Sequence, residues 1–159
     1  MLRKLRERIG GEKGFTLIEL LVVILVLGIL AAIVLPTFLG QQAKGQDGSA
    51  KSDVRNLVSH IESCHAEQED YTACDSASEL GGTGLDVDTA GDVPSAPGKV
   101  SVISSQTNRY VAVSKSKTGN YFAIVKDNSG VITHTCGTNM TPPGVATGSD
   151  KGGCKSNVW

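Results

Sequence analysis

An α+β fold is predicted by three features of the sequence. An apolar run lies near the start, a following stretch places apolar residues at gaps of three and four, and short alternating segments come later, separated by turn residues. They describe one long N-terminal helix, transmembrane first and amphipathic after, packed on a small antiparallel β-sheet of about four strands.

The apolar run comes first. Between Phe15 and Leu39 only Thr16, Glu19, Gly28, Pro36 and Thr37 are not apolar. At about 1.5 Å rise per residue this length exceeds a hydrocarbon layer of roughly 30 Å, so the run is long enough to span a bilayer. A secretory signal peptide fits less well, because the run is too long and Leu35-Pro36-Thr37-Phe38 is a poor signal-peptidase site. Ahead of the run, Arg3, Lys4, Arg6, Arg8 and Lys13 outnumber Glu7 and Glu12. The positive-inside rule then keeps the N-terminus in the cytosol and places everything after Leu39 outside.

A plain anchor explains all of this except Glu19. A carboxylate in a lipid-facing helix costs about 2.5–3.5 kcal/mol at the bilayer centre and less near the interface, and it needs a partner. The residues around it, Gly14-Phe15-Thr16-Leu17-Ile18-Glu19, run on through Leu20-Leu21-Val22-Val23-Ile24 to Ala31-Ala32-Ile33-Val34-Leu35-Pro36. This stretch resembles the prepilin peptidase motif of type IV pilins and type II secretion pseudopilins, over about the first quarter of the chain. The resemblance implies cleavage between Gly14 and Phe15 and N-methylation of Phe15. It also implies that Glu19 pairs with the Phe15 amino group of an adjacent subunit, the counter-charge a buried carboxylate requires. Residues 1–14 then form a leader peptide, 15–39 a transmembrane and filament-core helix, and 40–159 an extracytoplasmic globular domain. Pro36 removes one helical hydrogen bond and is expected to kink or loosen the helix, which the family often extends near the equivalent proline.

Beyond Leu39, Ala43, Ala50, Val54, Leu57, Ile61 and Cys64 mark one face of an amphipathic helix, with a missed turn at Asp47, continuing to about His65 or Glu67. Gly, Ser, Thr, Asp and Pro dominate from Asp75 to Gly98, which reads as a connecting loop with a helical turn at Ser76 to Leu80. Strand candidates follow near Lys99–Ser104, Arg109–Ser114, Asn120–Lys126 and Val131–Thr135, spaced as an antiparallel meander. The segment from Gly137 to Trp159, with Pro142-Pro143 and several glycines, reads as a tail ordered by a covalent staple.

Four cysteines permit three connectivities, and their spacing does not choose among them. Local pairing would give Cys64–Cys74 and Cys136–Cys154. The family resemblance favours the second, a bridge closing the C-terminal region. A rival zinc set would be His60, Cys64, His65 and Cys74, but His65 points about 100° away from the His60 and Cys64 face, and no paired C-x-x-C exists. Asp86, Asp88 and Asp92 form a loose calcium candidate, for which a solvated acidic loop is the simpler reading. Trp159 is expected to pack against the domain.

Basic residues after the leader are scattered among carboxylates, so no nucleic-acid footprint appears. No nucleophile has a base in a recognisable arrangement, and nothing calls for a cofactor. The resemblance implies a structural subunit of a bacterial type IV pilus: a helical homo-oligomer that depends on a prepilin peptidase and methylase, on assembly machinery and, before assembly, on the cytoplasmic membrane. A pseudopilin of a type II secretion or DNA-uptake system shares the same leader and helix. A membrane-anchored domain that never polymerises is the third reading.

Overall fold

A computed structural model of the chain describes residues 14–141, 145–148 and 152–159. The charged residues expected to form the leader ahead of Gly14, and the Pro142-Pro143 pair, lie outside the described residues. The chain divides into two units, Met1–Leu39 and Gly40–Trp159. One helix, α1 (Leu17–Gln68), supplies backbone to both.

The first part of α1 is apolar on every side, the pattern of a helix whose surroundings are themselves apolar. It stays helical through Pro36, whose ring nitrogen cannot donate to the carbonyl one turn back. Just beyond, the Thr37 hydroxyl donates to the Val34 carbonyl at 2.8 Å. The helix ends when Glu69 turns left-handed, at φ 58°, with its N–H still bonded to the His65 carbonyl at 2.8 Å.

Within the second unit α1 buries Asp47, Ala50, Val54, Leu57 and Ile61. Gaps of three and four put these five on one stripe. The stripe packs on a five-stranded sheet in the order β1 (Asp86–Val87), β2 (Lys99–Gln106), β3 (Arg109–Lys115), β4 (Tyr121–Lys126) and β5 (Ile132–Gly137). Strands β2 to β5 are an antiparallel meander, and β1 pairs with β2 in parallel. Alternation gives the sheet two apolar faces. Val100, Val102, Tyr110, Ala112, Phe122 and Ile124 meet the helix, while Ile103, Val111, Val113 and Ala123 form a second cluster with Tyr121, Val125 and Met140. The pairing of β2 with β3 shifts register between Val102 and Ser104, a bulge that leaves Ile103 without an opposite partner.

The strand count exceeds the expected four. A two-residue strand, β1, borders the sheet inside the segment read as loop, where it is too short to show a period. The tail is also more ordered than expected: β6 (Asn139–Thr141) and β7 (Val145–Thr147) form a separate antiparallel pair. Gly137 permits this hairpin to lie close, because a Cβ there would run into the backbone of Thr147. The turn at Ser76 closes through the Leu80 N–H on the Ser76 carbonyl at 3.0 Å, and the Glu79 carboxylate accepts from the Ser76 N–H and hydroxyl.

Candidate functional site

Gly14, Phe15 and Thr16 precede the helix without regular structure, and α1 starts at Leu17. Thr16 caps it: its hydroxyl accepts from the Glu19 N–H at 3.3 Å, and its carbonyl from the same N–H at 3.1 Å. Thr16-Leu17-Ile18-Glu19 therefore has the residue pattern of a capping box, with a carboxylate in the first turn where the helix dipole favours it. This local role of Glu19 was readable in the T-x-x-E spacing and escaped the sequence reading, which looked only for a charge partner. Such a carboxylate near a helix start is stabilised by about 0.3–1 kcal/mol, less than the membrane cost of the charge.

Every residue from Gly14 to Gln42 is exposed. Phe15 is 77% exposed, Leu17 80%, Ile24 65% and Phe38 64%. The helix is long and apolar enough to cross a membrane, with a mean hydropathy of 3.2 over its most apolar window. A continuous apolar surface of this length is far larger than soluble monomers expose, and it demands a covering of lipid or protein.

Residues 10–35 match the family model described as the prokaryotic N-terminal methylation motif. The type IV major pilin protein PilA of Myxococcus xanthus is 40% identical over 70 residues, 44% of this chain and 31% of the pilin. The type II secretion system core protein G of Dickeya chrysanthemi is 41% identical over 51 residues, 32% of this chain and 33% of that protein. The chain thus spans about a third of the length of these relatives. A third comparison reaches past the shared helix: the type IV wide pilus major component PilA4 of Thermus thermophilus is 31% identical over 135 residues, 83% of this chain and 95% of PilA4. The chain belongs to the type IV pilin and pseudopilin superfamily. No solved structure gives a significant match.

In this member of the superfamily two polar clusters and the Cys64–Cys74 disulfide hold the second half of α1 within the globular unit, and the Cys136–Cys154 disulfide ties the tail to β5. The Asp47 carboxylate is fully buried. It accepts from the Ser116 hydroxyl at 2.6 Å, the Thr118 hydroxyl, the Asn120 side-chain amide at 3.0 Å and the Gly153 N–H at 2.6 Å. Lys51, one turn on, donates to the Gly153 carbonyl at 2.6 Å. Helix, β3–β4 turn and tail meet at this one side chain. Gly152 is required beside it, since its φ is 63° and a Cβ would collide with the carboxylate.

Four turns along, Glu62 accepts from Tyr71 at 2.8 Å, from Tyr110 at 2.9 Å and from the Lys126 ammonium at 2.9 and 3.1 Å. Burial alone would raise the Glu62 pKa, but the bonds from Lys126, Tyr71 and Tyr110 outweigh it and hold the carboxyl below its ordinary 4.5. A carboxyl with a depressed folded pKa adds stability above its unfolded value, and that stability is lost as pH falls through the folded value. The globular unit is accordingly expected to lose stability below about pH 4.5, and Glu62→Gln to flatten that part of the curve. Thermal melts of both proteins from pH 7 down to pH 3 would check this; parallel curves would remove Glu62 as the cause.

Cys64 is bonded to Cys74, with Cα atoms 5.8 Å apart, and Cys136 to Cys154, with Cα atoms 5.6 Å apart. The first bridge withdraws both thiolates from the zinc set. His65 instead stacks on Tyr71, ring centroids 3.8 Å apart. In the chain-entropy model the second bridge contributes roughly 3 kcal/mol. Of the calcium candidates, Asp86 sits in β1 and Asp88 accepts from the Ser95 N–H at 2.8 Å, and both lie near the Lys99 ammonium, at 3.7 and 3.4 Å. Their counter-charge is thus a lysine. Among the described residues, no group of three or more His, Cys, Asp or Glu side chains is gathered to hold a metal. Trp159 is half-buried, its indole N–H on the Thr135 carbonyl at 2.9 Å and its ring edge-on to Phe122.

Proposed function

We propose that the chain is a structural, non-enzymatic subunit of a bacterial type IV pilus. The observation that carries this reading is the exposed apolar segment from Phe15 to Leu39, which holds one carboxylate, four residues after Phe15. Before assembly that segment spans the cytoplasmic membrane, with the N-terminus in the cytosol. A prepilin peptidase cuts between Gly14 and Phe15 and the new terminus is methylated. Assembly machinery then draws the segments from lipid into a helical homo-oligomer, where they cover one another's apolar surface and Glu19 meets the Phe15 ammonium of a neighbour. Pro36 loosens α1 near the membrane exit. The match to a wide pilus major component along most of the chain supports the pilus over other filaments.

The mature protein from its native host is expected to begin at N-methylated Phe15, as read by mass spectrometry of its N-terminal peptide. An intact leader would reduce the chain to an anchored domain. A second reading, a pseudopilin, is favoured by the similarity to a type II secretion core protein. Long surface fibres in negative-stain images support the pilus; a short filament that never leaves the envelope supports the pseudopilin.

A further inference from the structure

Polar side chains around Asp47 and Glu62 satisfy one another, but one corner of the globular unit is different. Where α1 ends, the β2–β3 and β4–β5 turns close around a pocket of about 240 Å³ whose walls include His65, Tyr71, Asn108, Lys126, Asn128 and Ser129. The walls are held by bonds of their own. His65, in the last turn of α1, stacks on Tyr71, and the Tyr71 N–H donates to the Thr107 carbonyl at 3.4 Å, which ties down the turn carrying Asn108. The Asp127 carboxylate accepts from the Ser129 and Val131 N–H groups at 2.9 Å and from the Ser129 hydroxyl at 2.7 Å, which shapes the turn carrying Asn128.

The polar groups on these walls lack partners. His65 Nε2 is buried and forms no hydrogen bond among the described residues, an omission that costs about 1–3 kcal/mol. The Asn108 and Asn128 amides, both on exposed residues, form none among the described residues either. The Ser129 hydroxyl gives its proton to Asp127 and keeps lone pairs that can accept. Charge, by contrast, is already answered. The Lys126 ammonium donates to Glu62 and to the Tyr71 hydroxyl. Asp70 and Asp127 adjoin Tyr71 and Lys126 in the chain, so with Glu62 they oppose an anion, yet none of the three carboxylates lines the pocket to hold a cation.

Two amides, a hydroxyl oxygen and an imidazole nitrogen remain, a set that both donates and accepts. Such a set matches the adjacent hydroxyls of a carbohydrate. We propose that this pocket binds one neutral sugar residue. Its volume lies below the roughly 300–1,000 Å³ of pockets that enclose drug-sized ligands, which suits a single ring and not a chain. One hydroxyl reaches His65 Nε2 as the exposed Asn128–Gly130 turn gives way, and it meets an atom already closed to water. The Asn108 and Asn128 amides and Ser129 Oγ take the neighbouring hydroxyls. The site belongs to the globular unit alone and stands whether the chain builds a pilus, a pseudopilus or no filament.

The test uses the full chain in micelles of a detergent that has no sugar headgroup. Saturation-transfer NMR is recorded with glucose, galactose, mannose, N-acetylglucosamine and N-acetylgalactosamine, each as the free sugar and as its methyl glycoside. At least one is expected to receive signal from the protein. His65→Phe keeps a ring on Tyr71 and removes the nitrogen, and is expected to raise Kd about tenfold, the equivalent of 1.4 kcal/mol. Asn108→Ala with Asn128→Ala breaks no bond within the chain and is expected to weaken binding at least as much. No signal from any sugar, or the same Kd in wild type and the double variant, overturns the proposal. Methyl glucuronide binding as tightly as the best neutral sugar overturns it too, since the carboxylates would then oppose nothing. If His65→Phe misfolds, seen as a lost bridge in the mass of the unreduced chain, the double variant decides alone. Signal from a free sugar and its glycoside assigns the pocket to the end of a glycan; signal from the free sugar alone assigns it to a monosaccharide in solution.

Discussion

Glu19→Ala is expected to abolish filaments while leaving cleavage between Gly14 and Phe15 intact. Two roles of this carboxylate compete to explain such a loss, and their sizes separate them. As the acidic residue of the first helical turn, Glu19 is worth about 0.3–1 kcal/mol to α1, too little to undo an assembly. In the proposed role, as the counter-charge of a buried ammonium, it would matter far more, because removing one member of a buried pair costs about 3–5 kcal/mol. In a filament that cost recurs at every subunit. Glu19→Gln separates the roles directly, since glutamine also completes a capping box but carries no charge. Loss of filaments in both variants, with Phe15 still the terminus, assigns the effect to charge. Wild-type fibre counts from either variant would sink the pairing argument.

Asp47→Ala is expected to destabilise the globular unit as much as the loss of a large buried core side chain. The substitution leaves the Ser116, Thr118, Asn120 and Gly153 donors facing an apolar gap. Each unsatisfied buried donor costs about 1–3 kcal/mol, less where water enters. A net loss of about 3–5 kcal/mol follows from the comparison with broken buried networks, and at about 3 °C per kcal/mol the midpoint should fall by roughly 10 °C or more. Trp159, the single tryptophan, sits on the tail that Asp47 holds, so its fluorescence reports the event. Asp47→Asn keeps the size and one acceptor and should fall between. A variant melting within about 1 kcal/mol of wild type would show that the tail needs only its disulfide.

The residues that escaped the sequence reading explain why it worked where it did. Val54, Leu57 and Ile61 were legible because apolar side chains at helical spacing carry their own evidence of a buried face. Asp47 lies on the same stripe, yet a binary pattern registers it as a gap. Its donors lie about 70 to 106 positions further along the chain, and nothing local announces them. Strands β2 to β5 stood out through alternation and turn residues. Asp86–Val87, only two residues long, has no period to detect, and β6 and β7 are three residues each. In the N-terminal segment Gly14, Phe15 and Glu19 were legible through a motif, whereas Thr16 as the cap of α1 went unremarked.

The two polar clusters on α1 have a mechanical consequence. Asp47 and Glu62 lie fifteen residues apart, about 22 Å along the helix axis. The apolar stripe between them resists separation but offers little directional resistance to sliding. Hydrogen bonds, which weaken steeply with misalignment, clamp the rod at both ends of that stripe. A helix held at one point could swivel on the sheet; held at two, it can neither slip lengthwise nor turn about its own axis. Tension applied along α1 therefore reaches the β3–β4 turn through Asp47 and the far ends of β3 and β4 through Glu62. The load is shared across the sheet before any apolar contact has to yield.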